Sequence, residues 1–269
     1  MRRAARALAA LAAATVALGA SAACGDAPAD KPLYLTFDTG HMGVAPLVAD
    51  VLARQNVRVT FFLADEKTLT GGSSLDDAWT DWWKARAAEG HAFGSHTMDH
   101  LSWIADEAGG FRMKASAGPA AGTVRHLSSA QYCAELARPA QRFESMTGQT
   151  MSRRFRAPGG KTSPALLAAA RACGWRHVGW SPAGFLGDEL SSERYPNARL
   201  LERALRDIRR GDILVAHLGI WSRQDPWAPA VLEPLIVGLK EKGFCFATLG
   251  ENRPGRDADR DAARPAPPR

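Results

Sequence analysis

The alternation of short apolar runs with helical periods constrains this chain most. Residues 33–37 read as a buried strand. Residues 44–55 follow with apolar side chains at Val44, Leu47, Val48, Val51 and Leu52, a helical period. Residues 57–63 are rich in β-branched and aromatic side chains, which suit a strand. The same alternation continues with strands at 92–95, 154–156, 177–180, 213–216 and 244–248. Helices are expected at 75–89, 128–146, 163–173, 197–209 and 228–241. Ser128 or Ser129 caps the second of these, with Pro139 a kink, and Ser163 caps the third with Pro164 at its first position. Such an order predicts an α/β fold, a parallel sheet or (β/α) barrel, with functional residues in loops after the strands. Residues 105–125 are glycine-rich and weakly patterned, so a surface excursion is expected there. Trp79, Trp82 and Trp83 fall on one helical face, either as packing or as a sugar platform.

The 269 residues, 46% of them hydrophobic, are enough for one large domain. The first 23 residues stand apart. Arg2, Arg3 and Arg6 precede an apolar run from 7 to 20 that is too short to span a bilayer, and Ser21, Ala22 and Ala23 follow. This reads as a secretory signal, which implies an exported protein of the periplasm or cell envelope. Cleavage before Cys24 has two readings. Ser21-Ala22-Ala23-Cys24 resembles a bacterial lipobox, which would anchor Cys24 to lipid, although Ser21 stands where leucine is usual. The other reading is ordinary cleavage after an Ala-x-Ala-like site. Residues 24–30 form a short linker, 31–250 the main domain, and 251–269 an Arg-, Asp-, Ala- and Pro-rich tail read as disordered.

The formal charge is +6, and three of those charges lie in the signal. That balance, without a basic stripe, argues against a nucleic-acid partner. Contact with a membrane is expected only through the signal or a lipid on Cys24. Cys133, Cys173 and Cys245 form no C-x-x-C pair, so a cysteine zinc site is not expected. One disulfide with one free thiol, or three buried thiols, are the two readings.

Five groups of residues carry chemistry. Leu35-Thr36-Phe37-Asp38-Thr39-Gly40 ends an apolar strand in a carboxylate. His96 and His100 lie four apart and can face one metal if the segment is a helical turn. Arg156-Ala157-Pro158-Gly159-Gly160, Trp180-Ser181 and Leu214-Val215-Ala216-His217 follow. An acid, two histidines, an arginine and a third histidine, each near a strand end, point to a metal hydrolase.

In these motifs and their order the chain resembles the polysaccharide deacetylase family, the NodB-homology group also called carbohydrate esterase family 4. The resemblance covers roughly residues 31–250. It implies a distorted (β/α) barrel in a single domain and hydrolysis of an acetyl group on a glycan, with peptidoglycan or an N-acetylglucosamine polymer as substrate. By the resemblance Asp38 is the general base, His96 and His100 are metal ligands, Arg156 orients Asp38, and His217 is the general acid. A backbone N–H near Gly159 would serve an oxyanion hole, and Trp180 would wall the groove. The metal would polarise the carbonyl and lower the pKa of its bound water. Nitrogen ligands favour zinc, with cobalt or nickel next.

The chain departs from the family at Thr39, where a metal-binding Asp is usual. Four outcomes are open: weak ligation by Thr39, a water in its place, a swing of His41, or an inactive site. The fourth motif lacks its Asp at the usual place, and Asp188 is the candidate. His91, His126 and His177 carry no motif and are expected to be structural; His41 is expected to be a loop histidine. Two further readings of function are a carbohydrate-binding barrel without turnover and an amidohydrolase for a non-glycan acyl group. Asp38, Arg156 and His217 together favour catalysis, because a binder has no use for a base, its orienter and an acid.

Overall fold

A computed structural model of the chain describes Cys24 and residues 32–249. The expected signal, the remainder of the linker and the tail lie outside the described residues. Strand β1 (Pro32–Asp38) leads into helix α1 (Ala45–Arg54), β2 (Thr60–Leu63), α2 (Thr80–Ala88) and β3 (Ala92–Ser95). Three strands follow: β4 (Leu101–Glu107), β5 (Gly110–Ala115) and β6 (Val124–Leu127). The chain then forms α3 (Ser129–Thr147), β7 (Arg154–Phe155), α4 (Pro164–Ala172) and β8 (Arg176–His177). Helix α5 (Asn197–Asp207), β9 (Ile213–His217), α6 (Leu232–Glu241) and β10 (Cys245–Phe246) complete it.

Seven strands pair in parallel. β9 lies beside β1, then β2, β3, β7 and β8 follow in order, while β10 pairs with the first residues of β1. An isolated parallel bridge joins Phe185 to Val215 of β9, so the sheet curls toward its own far edge. The result is the expected (β/α) architecture as a half-barrel. β1 and β2 are buried along most of their length because helices cover them, and their sequences are accordingly continuous apolar runs.

The helix starts follow local chemistry. The Ser128 side chain accepts from the Gln131 N–H, and the Gln131 side chain accepts from the Ser128 N–H. Ser163 caps α4 through the Leu166 N–H, ahead of Pro164. Pro139 lies inside α3 and is buried. Trp83 is fully buried and meets Phe61 edge-on, with Trp82 edge-on against Trp83. The tryptophan face is therefore packing.

Residues 105–125 are not an unstructured excursion. β4, β5 and β6 form an antiparallel sheet of their own. The alternation Phe111, Met113, Ala115 turns inward while Arg112 and Lys114 face solvent. This period of two was present in the sequence, but the glycines at 109, 110, 118 and 122 diluted it.

The cysteines also differ from both sequence readings. Cys133 pairs with Cys173, joining α3 to the end of α4, and Cys24 pairs with Cys245 of β10. No free cysteine remains among the described residues. A disulfide occupies the Cys24 sulfur that a lipid thioether would need, so the lipid-anchor reading does not fit this structure. Thiol titration of the purified chain, unfolded without reductant, is expected to find no free thiol. One or more reactive thiols per chain would refute the pairing.

Candidate active site

Strand register assembles the site. Asp38 at the end of β1 pairs with His217 at the end of β9 on one side and with Phe62 of β2 on the other. Farther along, Leu63 pairs with Ser95, and Ser95 with Phe155. His96 and Arg156 are the residues immediately after β3 and β7. Parallel strands end on one side of the sheet, so five distant segments deliver their side chains to one rim.

Arg156 is completely buried. Its Nη1 donates to Asp38 Oδ1 at 2.8 Å and to Thr36 Oγ1 at 2.8 Å. Its Nε and Nη2 donate to the carbonyls of Val178 and Gly179. The guanidinium lies 4.3 Å from the Phe62 ring centre and 5.7 Å from that of Trp180. Trp180 thus stands over the arginine. Gly160 has φ +68°, and a Cβ there would come within 2.8 Å of the Trp180 ring, so both backbone and contact call for glycine. Gly159 is the exposed residue of the same turn, at φ +64°.

Burial alone would raise the pKa of Asp38. The nearby charge of Arg156, then those of His96 and His217, more than offset it and hold the carboxylate below its ordinary range. His96 Nε2 is 3.5 Å from Asp38 Oδ2. The other ring nitrogen, Nδ1, is 2.9 Å from the Arg156 carbonyl. That contact assigns the proton to Nδ1 and turns the Nε2 lone pair toward the site. Burial lowers the His96 pKa to about 4, so its ring is neutral near pH 7.

His96 and His100 do come together, with ring centres 4.8 Å apart, but not on a helix. Thr97 has φ +59° and His100 φ +46°. The Thr97 hydroxyl accepts from the Leu101 N–H at 2.7 Å and closes this left-handed turn. His100 Nδ1 contacts Ser116 Oγ, just beyond β5. The antiparallel sheet therefore supports one wall of the site.

Asp188 joins His217. Its Oδ2 accepts from the His217 N–H at 2.7 Å and lies 3.1 Å from Nδ1. Burial would lower the His217 pKa, but Asp188 and then Asp38 raise it to about 10. Folding thus favours the imidazolium. Its contribution to stability is complete below the ordinary histidine pKa near 6.5 and fades as pH rises through about 10. In Asp188→Asn, the alkaline fall in activity is expected to move down by at least about 1 pH unit, the effect of losing one adjacent opposite charge. An unchanged alkaline limb would refute this role.

Thr39 is fully engaged. Its hydroxyl donates to Glu66 Oε2 at 2.6 Å and accepts from the Ala64 N–H at 3.1 Å. His41 does not swing toward His96. Its Nδ1 accepts from the Gly43 N–H at 3.0 Å, and its ring meets Trp221 edge-on. His91 accepts from the Val59 N–H, His177 packs on Phe155, and His126 lies on β6. The residue that sequence reasoning missed is Glu66, three positions past β2. No spacing motif marks it, and only the acid-rich Asp65-Glu66 after a strand end was available as a signal.

A profile of the polysaccharide deacetylase family matches residues 25–178. The chain belongs to that family. It is a family of hydrolases, and the fold agrees with it. A chitooligosaccharide deacetylase of Azorhizobium caulinodans is 28% identical over 227 residues, covering 81% of this chain and 92% of that one. A family 4 acetyl xylan esterase of Clostridium thermocellum, solved with a cobalt ion, superposes with a TM-score of 0.63 at 22% identity, over 81% of this chain and 88% of that one. A family 4 pseudoenzyme from Bacillus anthracis gives 0.60 at 20% identity, over 81% of this chain. The present chain spans 64% of that protein, less than two thirds of its length. The last two likenesses concern the fold.

Two imidazoles and a nearby carboxylate are the donor chemistry of a zinc-class cation. Among the described residues, no three His, Cys, Asp or Glu side chains are drawn in to ligand spacing. His96, with its outer nitrogen already fixed by a carbonyl, is the most prepared of the donors.

Proposed function

We propose that this chain is an exported, metal-dependent deacetylase acting on peptidoglycan or another N-acetylglucosamine polymer. The observation that carries the reading is the convergence of Asp38, Arg156, His96 and His217 at adjoining strand ends. The chitooligosaccharide deacetylase likeness supports the glycan, and two disulfides support an oxidising compartment. A divalent cation held by His96 and His100, with zinc favoured and cobalt or nickel next, would polarise the acetyl carbonyl and acidify water.

The chain's own groups supply the rest. Asp38 accepts a proton from water as the water oxygen bonds to the acetamide carbon. Arg156 keeps Asp38 ionised and fixes its direction. A backbone N–H near Gly159 would stabilise the developing oxyanion. His217, protonated and held at Nδ1 by Asp188, donates from Nε2 to the departing amine as the carbon–nitrogen bond breaks. The products are acetate and a free amino sugar. Trp180 walls the groove.

Thr39 favours one alternative, a barrel that binds glycan without turning it over. Acetate release from peptidoglycan and N-acetylglucosamine oligomers separates the two. With added zinc or cobalt the purified mature chain is expected to release acetate, and a chelator to stop it. Binding without release under any metal would establish the alternative.

A further inference from the structure

The usual carboxylate is missing at position 39, yet a carboxylate reaches the same place from the next strand. Glu66 is half-buried, and its Oε2 accepts from the Thr39 hydroxyl at 2.6 Å and the Gly40 N–H at 2.5 Å. Its loop is pinned on both sides. The Glu66 N–H donates to Ser74 Oγ, and the Ser74 N–H returns to the Glu66 carbonyl. The Asp65 N–H donates to the Met98 carbonyl at 2.8 Å, tying the loop to the turn between His96 and His100. Both side-chain hydrogen bonds fall on Oε2. Oε1 accepts none from a described residue.

We propose that Glu66 supplies the carboxylate ligand that residue 39 lacks, joining His96 and His100 around a divalent cation. This rests on the metal-dependent reading of the site. The threonine substitution and Glu66 then form one feature. A hydroxyl at 39 donates its proton to the glutamate and aims it, where an aspartate at 39 would repel it. Among the described residues no three donors stand at ligand spacing, so binding the cation requires a side-chain movement, and Glu66 Oε1 carries no hydrogen bond that would hold it back.

The test reads cobalt binding, not turnover. Cobalt(II) affinity and visible absorption are measured on the mature wild-type chain, on Glu66→Gln, and on Thr39→Asp combined with Glu66→Gln. Glutamine keeps an oxygen acceptor for Thr39 and Gly40 and removes only the charge, so a purely structural Glu66 predicts little change. The expected result is at least a tenfold loss of affinity and an altered spectrum in Glu66→Gln. Recovery is expected in the double variant, where a carboxylate returns at 39. The double variant also decides the matter if the single one does not fold. Unchanged affinity and spectrum in Glu66→Gln, no recovery in a folded double variant, or no cobalt binding by the wild-type chain would overturn the proposal. Glu66-dependent cobalt binding without acetate release would leave it standing and overturn the deacetylase reading. Acetate release with cobalt binding indifferent to Glu66 would do the reverse.

Discussion

Asp38→Asn is expected to lower acetate release by roughly 10²- to 10⁴-fold, the usual contribution of a positioned general base. Asparagine occupies the same volume and its oxygen still accepts from Arg156, which contacts Oδ1 at 2.8 Å in the native protein. What disappears is the negative charge that, in the proposed mechanism, receives the proton from water. His96 keeps its Nδ1 contact with the Arg156 carbonyl, and His100 keeps its turn, so cobalt binding is expected to persist. The pair of measurements separates loss of the base from loss of the metal. Activity within a few-fold of wild type would remove Asp38 from the role of base. The low pKa of Asp38 and the high pKa of His217 also have a joint consequence. At neutral pH Asp38 is ionised and His217 protonated, the combination the proposed reaction requires.

Arg156→Met is expected to destabilise the fold by about 3–5 kcal/mol, the cost of removing one partner from a buried ion pair. Three consequences add in the same direction. Asp38, itself only 3% exposed, is left as an uncompensated buried charge. The carbonyls of Val178 and Gly179 lose their donors. The space between Phe62 and Trp180 loses a flat guanidinium that a flexible thioether chain does not replace. Urea unfolding monitored by tryptophan fluorescence measures the difference. Because the lost stability comes mainly from the Asp38 charge, Arg156→Met combined with Asp38→Asn should be less destabilised than the sum of the single variants. A loss below about 1 kcal/mol in Arg156→Met would mean that Asp38 is solvated and the pair is not a buried one.

Much of this site was legible because its parts are locally encoded. Asp38, His96, Arg156 and His217 each close or follow an apolar strand, and a parallel sheet sends such positions to one rim. The supporting residues were not legible in the same way. Asp188 was named in the sequence only as a candidate away from the usual motif place, in an irregular segment after β8, and its position behind His217 comes from the hydrogen bonds. Glu66 follows β2 by three residues in a loop whose direction depends on Ser74 and Met98. The His96–His100 pair was recognised by spacing, but its geometry was not. The turn holds two non-glycine residues at positive φ, which a helical reading of the four-residue interval does not anticipate.

The cysteines make the same division. Cys24 and Cys245 are 221 residues apart, and they meet because β10 lies against the first residues of β1. By itself the sequence determined the order of strands and helices, the parallel architecture, and the acid, histidines and arginine at the strand ends. Those follow from periodicity and side-chain type within a few residues of each position. Only the tertiary structure decided the disulfides, the second antiparallel sheet, the aspartate behind His217 and the glutamate beside Thr39. Each of these depends on where a distant segment comes to rest, and that is set by closure of the sheet and packing of its core rather than by any local pattern.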